Sequence, residues 1–94
     1  MYRIIEESGT GKTSRLMLLA KENDAVFVCN NPNAMEYKAS KYGITGIHFI
    51  SYGDFYTHRR DYENKKYVID ELEHFLDTCI FQNTELVGYT LTIE

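Results

Sequence analysis

Apolar and polar positions change period several times along the chain, and the changes mark out alternating strands and helices. Tyr2 to Glu6 reads as a short strand centred on Ile4 and Ile5, broken by Gly9-Thr10-Gly11. Lys12 to Asn23 then carries Leu16, Met17, Leu19 and Ala20 at helical spacing. Ala25-Val26-Phe27-Val28-Cys29 is a continuous apolar run of β-preferring residues, the mark of a strand covered on both faces. Asn31-Pro32 opens a helix, the asparagine as cap and the proline in the first turn. Met35, Ala39 and Tyr42 follow at i, i+4 and i+7, and Gly43 supplies the stop.

Ile47 to Tyr52 predicts a third strand, and Gly53 to Lys66 fits either a short helix or a loop. Tyr67-Val68-Ile69 predicts a fourth strand ending in Asp70-Glu71. Leu72, Phe75, Leu76, Cys79 and Ile80 then fall at i, i+3, i+4, i+7 and i+8, an amphipathic helix. Leu86 to Ile93 predicts a fifth strand. Strands separated by helices of this length imply a mainly parallel sheet with helices on both faces. The expected fold is therefore α/β, a single domain over residues 1–94 with five strands.

Composition adds limits. Hydrophobic residues at 44% and charged ones at 26% suit a globular chain with a core, not a disordered one. A formal charge of −4 gives no global attraction to nucleic acid or acidic membrane. No apolar run has the length of a membrane span, and the N-terminus lacks a signal-peptide pattern, so the expected location is the cytoplasm. Cys29 and Cys79 are far apart, each within an apolar pattern, and read as reduced structural thiols.

The chemistry is concentrated at two places. Between the first strand and first helix stands Glu6-Glu7-Ser8-Gly9-Thr10-Gly11-Lys12-Thr13-Ser14. Its Gly-Lys-Thr matches the end of the phosphate-loop pattern G-x-x-x-x-G-K-[ST]. Glycines let successive N–H groups turn inward toward phosphate oxygens, and the helix N-terminus adds partial positive charge. On this reading Ser8, Gly9, Thr10, Gly11, Lys12, Thr13 and Ser14 bind a nucleotide, with Lys12 at the β- and γ-phosphates and Thr13 a magnesium ligand. The first glycine of the pattern is replaced by Glu6, an unwelcome charge beside phosphates unless it points away.

The second place is Tyr67-Val68-Ile69-Asp70-Glu71, an apolar strand ending in two acids that resembles the Walker B motif. There the aspartate holds magnesium and the glutamate polarises the attacking water, which assigns Asp70 to the metal and Glu71 to catalysis. A pair of acids in the first turn of a helix is the plainer account, and it is compatible with that role.

Together the motifs resemble a P-loop NTPase, and the order of segments is similar to the first RecA-like lobe of superfamily one and two helicases. Phe27 to Ala34, Ile50 to Phe55 and Leu86 to Thr92 are similar to the segments that accompany the Walker motifs in that lobe. The resemblance implies ATP with magnesium, and a γ-phosphate sensor at Thr90 or Thr92. It implies a strand order with Ile4 beside Leu86 to Ile93, and Val68 to Asp70 on the other side of the latter. No second lobe is present, so the likeness is to a pared-down, phage- or mobile-element-type ATPase-like protein. An arginine finger would come from a neighbouring copy, Arg59 and Arg60 being the donors at hand.

Tyr52, Phe55, Tyr56, His58, Arg59 and Arg60 interleave aromatic and basic side chains in a way that suits single-stranded nucleic acid. Core aromatics beside an exposed turn are the favoured account of them. His48 and His74 lack metal spacing. Two functional readings stand: an ATP-binding domain with weak hydrolysis, working in an oligomer or with a protein partner, and a non-catalytic interaction factor on a P-loop scaffold whose nucleotide site has degraded. A small-molecule kinase lacks a visible lid segment.

Overall fold

The computed structural model describes residues 1–6 and 9–92. Its first regular element is helix α1, Lys12–Asn23, which buries Met17 and Ala20. The helix stops at Asp24, whose left-handed backbone (φ 52°) turns its N–H back onto the carbonyls of Ala20 and Lys21. Strand β1, Val26–Cys29, follows and is buried along its whole length. Helix α2, Pro32–Lys41, begins as the sequence predicts: Asn31 Oδ1 accepts the Ala34 N–H at 3.2 Å and Pro32 occupies the first turn.

Strand β2 is Phe49–Ser51, shorter than the predicted Ile47 to Tyr52. It ends there because Ser51 is already a helix cap, its hydroxyl accepting the Asp54 N–H at 3.1 Å. The ambiguous stretch thus resolves into helix α3, Tyr52–Thr57, and a 3₁₀ turn, Arg59–Tyr62. Strand β3, Tyr67–Ile69, and helix α4, Leu72–Cys79, complete the ordered elements.

The sheet has three parallel strands in the order β2-β1-β3. Phe27 stands opposite Phe49 on one side and Val68 on the other, which fixes both registers. Alternation along β1 then feeds two cores. Phe27 and Cys29 join Met17, Ala20 and Ala39 from α1 and α2, while Val26 and Val28 join Ile50, Tyr52, Phe55 and Phe75 from the α3 and α4 side. Helices therefore cover both faces and the α/β expectation holds.

The five-stranded, RecA-like sheet does not. Among the described residues neither Tyr2 to Glu6 nor 86–92 forms a strand, and Ile93 lies outside the described residues. The expected order, with Ile4 beside the last strand and that strand beside Val68, fails with them, since the strand beside β3 is β1. An apolar pattern proposes a strand, but a strand exists only when its N–H and C=O groups find a ladder. Ile5 and Val87 are 76% and 92% exposed, so neither segment buries the side chains that would hold it against the sheet. Gly88 further weakens the second run. No helix among the described residues is long and apolar enough to cross a membrane.

Burial separates the core from the terminal segments energetically. Phe27 is 0% exposed and touches the most constrained strand. Phe27→Ala is expected to cost about 3–5 kcal/mol, against about 0.5 kcal/mol or less for Val87→Ser, as read from urea unfolding midpoints at constant m-value.

Candidate functional site

The ends of the parallel strands define two poles. Asp70 and Glu71 follow β3 at the carboxyl pole, and the turn before α1 comes up against them. Gly9 and Gly11 in that turn both adopt left-handed conformations, with φ of 81° and 82°. A side chain would be strained at either position whatever the space around it. Ser8 lies outside the described residues.

The residues on the two sides meet. Thr13 Oγ1 donates to Asp70 Oδ1 at 3.4 Å, across 57 residues of chain, a long distance for a hydroxyl–carboxylate bond. Lys12 Nζ donates to the Glu6 carbonyl at 3.1 Å and sits 3.7 Å from Glu71 Oε1. Glu71 is held in a left-handed conformation, φ 56°, which is uncommon for a residue with a side chain and recurs at functional sites. Ser14 behaves differently: its hydroxyl donates to the Gly11 carbonyl at 2.9 Å and so serves its own helix. Thr10 is bonded to the Glu6 carboxylate.

All four helices start at this pole; Asn31 and Ser51 cap α2 and α3, whereas α1 and α4, which begin beside the acids, have no side-chain cap among the described residues. The first N–H groups of a helix find no partner within it. Here those of α1 meet neither a cap side chain nor an acid in the first turn. The end of α1 is thus a set of donors with partial positive charge, flanked by the Lys12 ammonium.

Glu6 is not a bare charge beside the start of α1. Its carboxylate forms an ion pair with Arg15, and that bond chiefly holds the Glu6 carboxyl below the usual range. Arg15 also reaches the Thr10 and Gly11 carbonyls, each at 3.5 Å, so it braces the turn from outside. The sequence reading missed Arg15. The signal was there in the question of what neutralises an acid at the first loop position.

Asp70 is under the opposite stress. Burial first, then the Glu71 carboxylate, push its carboxyl above the usual range, against the pull of the Thr13 hydrogen bond, Lys38 and Lys12. Tyr52 closes the site from below, its hydroxyl donating to the Asp70 carbonyl at 2.5 Å and lying 3.3 Å from that of Glu71. Burial raises the Tyr52 phenol and pushes the Cys29 thiol up to about 11, so both stay protonated at neutral pH. Tyr52 and Phe55 are core residues, unavailable for stacking on bases, and His74 lies edge-on to Tyr52. Arg59 is bent over the Tyr56 ring and donates to the Tyr56 carbonyl at 2.8 Å.

Among the described residues no three His, Cys, Asp or Glu side chains converge as a metal cage. Thr13 and Asp70 offer two hard oxygen donors, the kind magnesium takes when waters and phosphate oxygens complete its shell. Their separation of 3.4 Å is close to the roughly 3 Å between adjacent oxygens of an octahedral magnesium shell of about 2.1 Å radius. The residues fit that ion in type and spacing. Comparison with family models, curated proteins and solved structures finds no match to this chain.

The raised Asp70 pKa has a thermodynamic sign. An acid that holds its proton more tightly when folded lowers stability on ionising. Its cost is absent below its unfolded pKa, near 3.9 for an ordinary aspartate, and is complete above the raised folded value. Asp70→Asn is therefore expected to raise the thermal midpoint at pH 7 and leave it nearly unchanged at pH 3. Melting curves across that range in magnesium-free buffer check this; equal effects at both pH values would contradict it.

Proposed function

We propose that the chain binds a nucleoside triphosphate, ATP in the first instance, together with magnesium, at the turn before α1. The observation that carries the reading is the meeting of Thr13 with Asp70 and of Lys12 with Glu71 across two distant parts of the chain. Ion pairs on a surface are common and weak. A hydroxyl and a lysine from a glycine turn, both set against an acidic pair at a strand end, form a more specific combination.

In this reading the N–H groups of α1 and the Lys12 ammonium receive the phosphate oxygens, Lys12 leaving the Glu6 carbonyl to do so. Thr13 and Asp70 hold the magnesium, which neutralises phosphate charge and fixes the phosphate geometry. Binding a cation beside Asp70 also relieves the cost of its buried charge. Glu71 is the residue positioned to orient a water at the phosphates. Any hydrolysis would be slow without a further cation at the phosphates, the place an arginine finger takes. The proposed setting is the cytoplasm, with a homo-oligomer or a protein partner supplying any arginine finger. A non-catalytic interaction factor with a degraded nucleotide site is the second reading, favoured by the exposed apolar residues Val87, Tyr89 and Leu91.

Calorimetry with ATP, ADP and GTP, with and without magnesium, separates the two. Lys12→Ala should weaken ATP binding by about a hundredfold or more, since a charge-assisted contact to phosphate of about 3 kcal/mol is lost. Asp70→Asn should lose the magnesium dependence, and Glu71→Gln should keep binding and lose any turnover. No heat with any nucleotide for the parent protein would transfer the assignment to the interaction factor.

Glu6 supplies an independent check. With its carboxylate paired to Arg15, Glu6→Gly should change ATP affinity by less than about threefold, within roughly 0.6 kcal/mol. Arg15→Ala should weaken binding more, because it frees the Glu6 charge beside the phosphates. A tenfold gain for Glu6→Gly would show that the acid opposes the ligand in the parent.

A further inference from the structure

The opposite pole, at the amino ends of the three strands, carries a cavity of about 540 Å³. That lies within the roughly 300–1,000 Å³ of small-molecule sites. Three separate connections form its wall. The turn from α1 to β1 brings Lys21 and Asp24, the loop before β2 brings Gly46 and His48, and the segment before β3 brings Asn64, Lys65 and Lys66. Three lysines and one acid thus contribute to its wall, in a chain whose formal charge is −4.

The basic residues are anchored through their backbones. The Lys66 carbonyl accepts the Val26 N–H at 3.0 Å, and the His48 carbonyl accepts that of Phe27 at 2.9 Å. The Lys65 N–H donates to Tyr62 at 3.1 Å, and the Lys21 carbonyl accepts the Asp24 N–H at 3.3 Å. Each of the three connections also holds one left-handed residue at the cavity wall: Asp24 (φ 52°), Gly46 (φ 82°) and Asn64 (φ 67°). Lys21, in the last turn of α1, has an ordinary role at a helix end. Lys65 and Lys66 lie in no helix; the Lys65 ammonium lies over the Tyr62 ring, 5.6 Å from its centroid, and would swing from it to meet a ligand. At the carbonyl end of α1, which would repel an anion, the Ala20 and Lys21 carbonyls are engaged by the Asp24 and Ala25 N–H groups.

We propose that this cavity is a second ligand site, for a phosphate-bearing anion, formed by Lys21, Lys65, Lys66 and His48. Lysines act as mobile point charges toward phosphate oxygens, and ring nitrogens and the Asn64 amide supply directional donors. The shared chemistry is the phosphate group, carried either by a free polyphosphate or by the backbone of a single-stranded nucleic acid. The site lies a strand length from Lys12 and Asp70 and is independent of whether those residues bind a nucleotide.

The test uses the full chain with Lys12→Ala, so that binding at the other pole does not contribute. Inorganic tripolyphosphate and a twelve-nucleotide oligothymidylate are titrated separately while backbone amide resonances are followed by NMR. Shifts at Gly46, His48 and Asn64 are expected, together with a loss of affinity of roughly tenfold or more in Lys65→Gln/Lys66→Gln, as for two lost charge contacts. Lys21→Gln is the second variant, and circular dichroism verifies that each remains folded. Tighter binding of the oligonucleotide identifies the phosphodiester source, and saturation by tripolyphosphate alone identifies the free one. The proposal fails if neither probe shifts these amides, or if the lysine variants bind as the parent does.

Discussion

Strand β1 has to satisfy backbone partners on both edges and apolar neighbours on both faces, within the span Val26–Cys29. That double demand organises the molecule. The parallel registers on either side set where β2 and β3 end, and so where Ser51 and Asp70 stand. The alternation of Val26 and Val28 with Phe27 and Cys29 sends one pair of helices to each face. A polar substitution at any β1 position would disturb one core or the other, because neither face of the strand is spare.

The carboxyl pole gathers groups in unfavourable settings. Asp70 is a partly buried acid with another acid beside it, and the α1 N-terminus has no side-chain cap among the described residues. Glu71 accepts an unfavourable backbone to stand where it does. Thr13, Lys38 and Lys12 pull against the rise at Asp70 without cancelling it. Arg15 removes a different problem by pairing with the Glu6 charge beside the glycine turn.

The middle of the chain was legible in its sequence. The run from Ala25 to Cys29, the Asn31-Pro32 cap and the Asp-Glu strand end carry strong local signals that the packing does not override. Both stretches that meet at the carboxyl pole were singled out in the sequence, the Gly-Lys-Thr turn by its motif and Asp70-Glu71 by the strand that ends in them. The terminal strands failed because Ile4-Ile5 and the Leu86 run state a preference for extended chain but not a partner for it. The part Tyr52 plays was hidden for another reason: it acts through backbone carbonyls. A carbonyl is present at every position and leaves no trace in residue identity.

The Tyr52 hydroxyl has a mechanical consequence. Tyr52 is the first residue of α3, is 2% exposed, and is fastened to the carbonyls of Asp70 and Glu71. The acidic strand end and α3 are therefore linked as two ends of one short, stiff strut. At the far end of that helix lies Tyr56, with Arg59 just beyond it in the 3₁₀ turn, both at the protein surface. The strut ties the backbone beneath a half-buried carboxylate to a helix that ends at an exposed aromatic–basic edge.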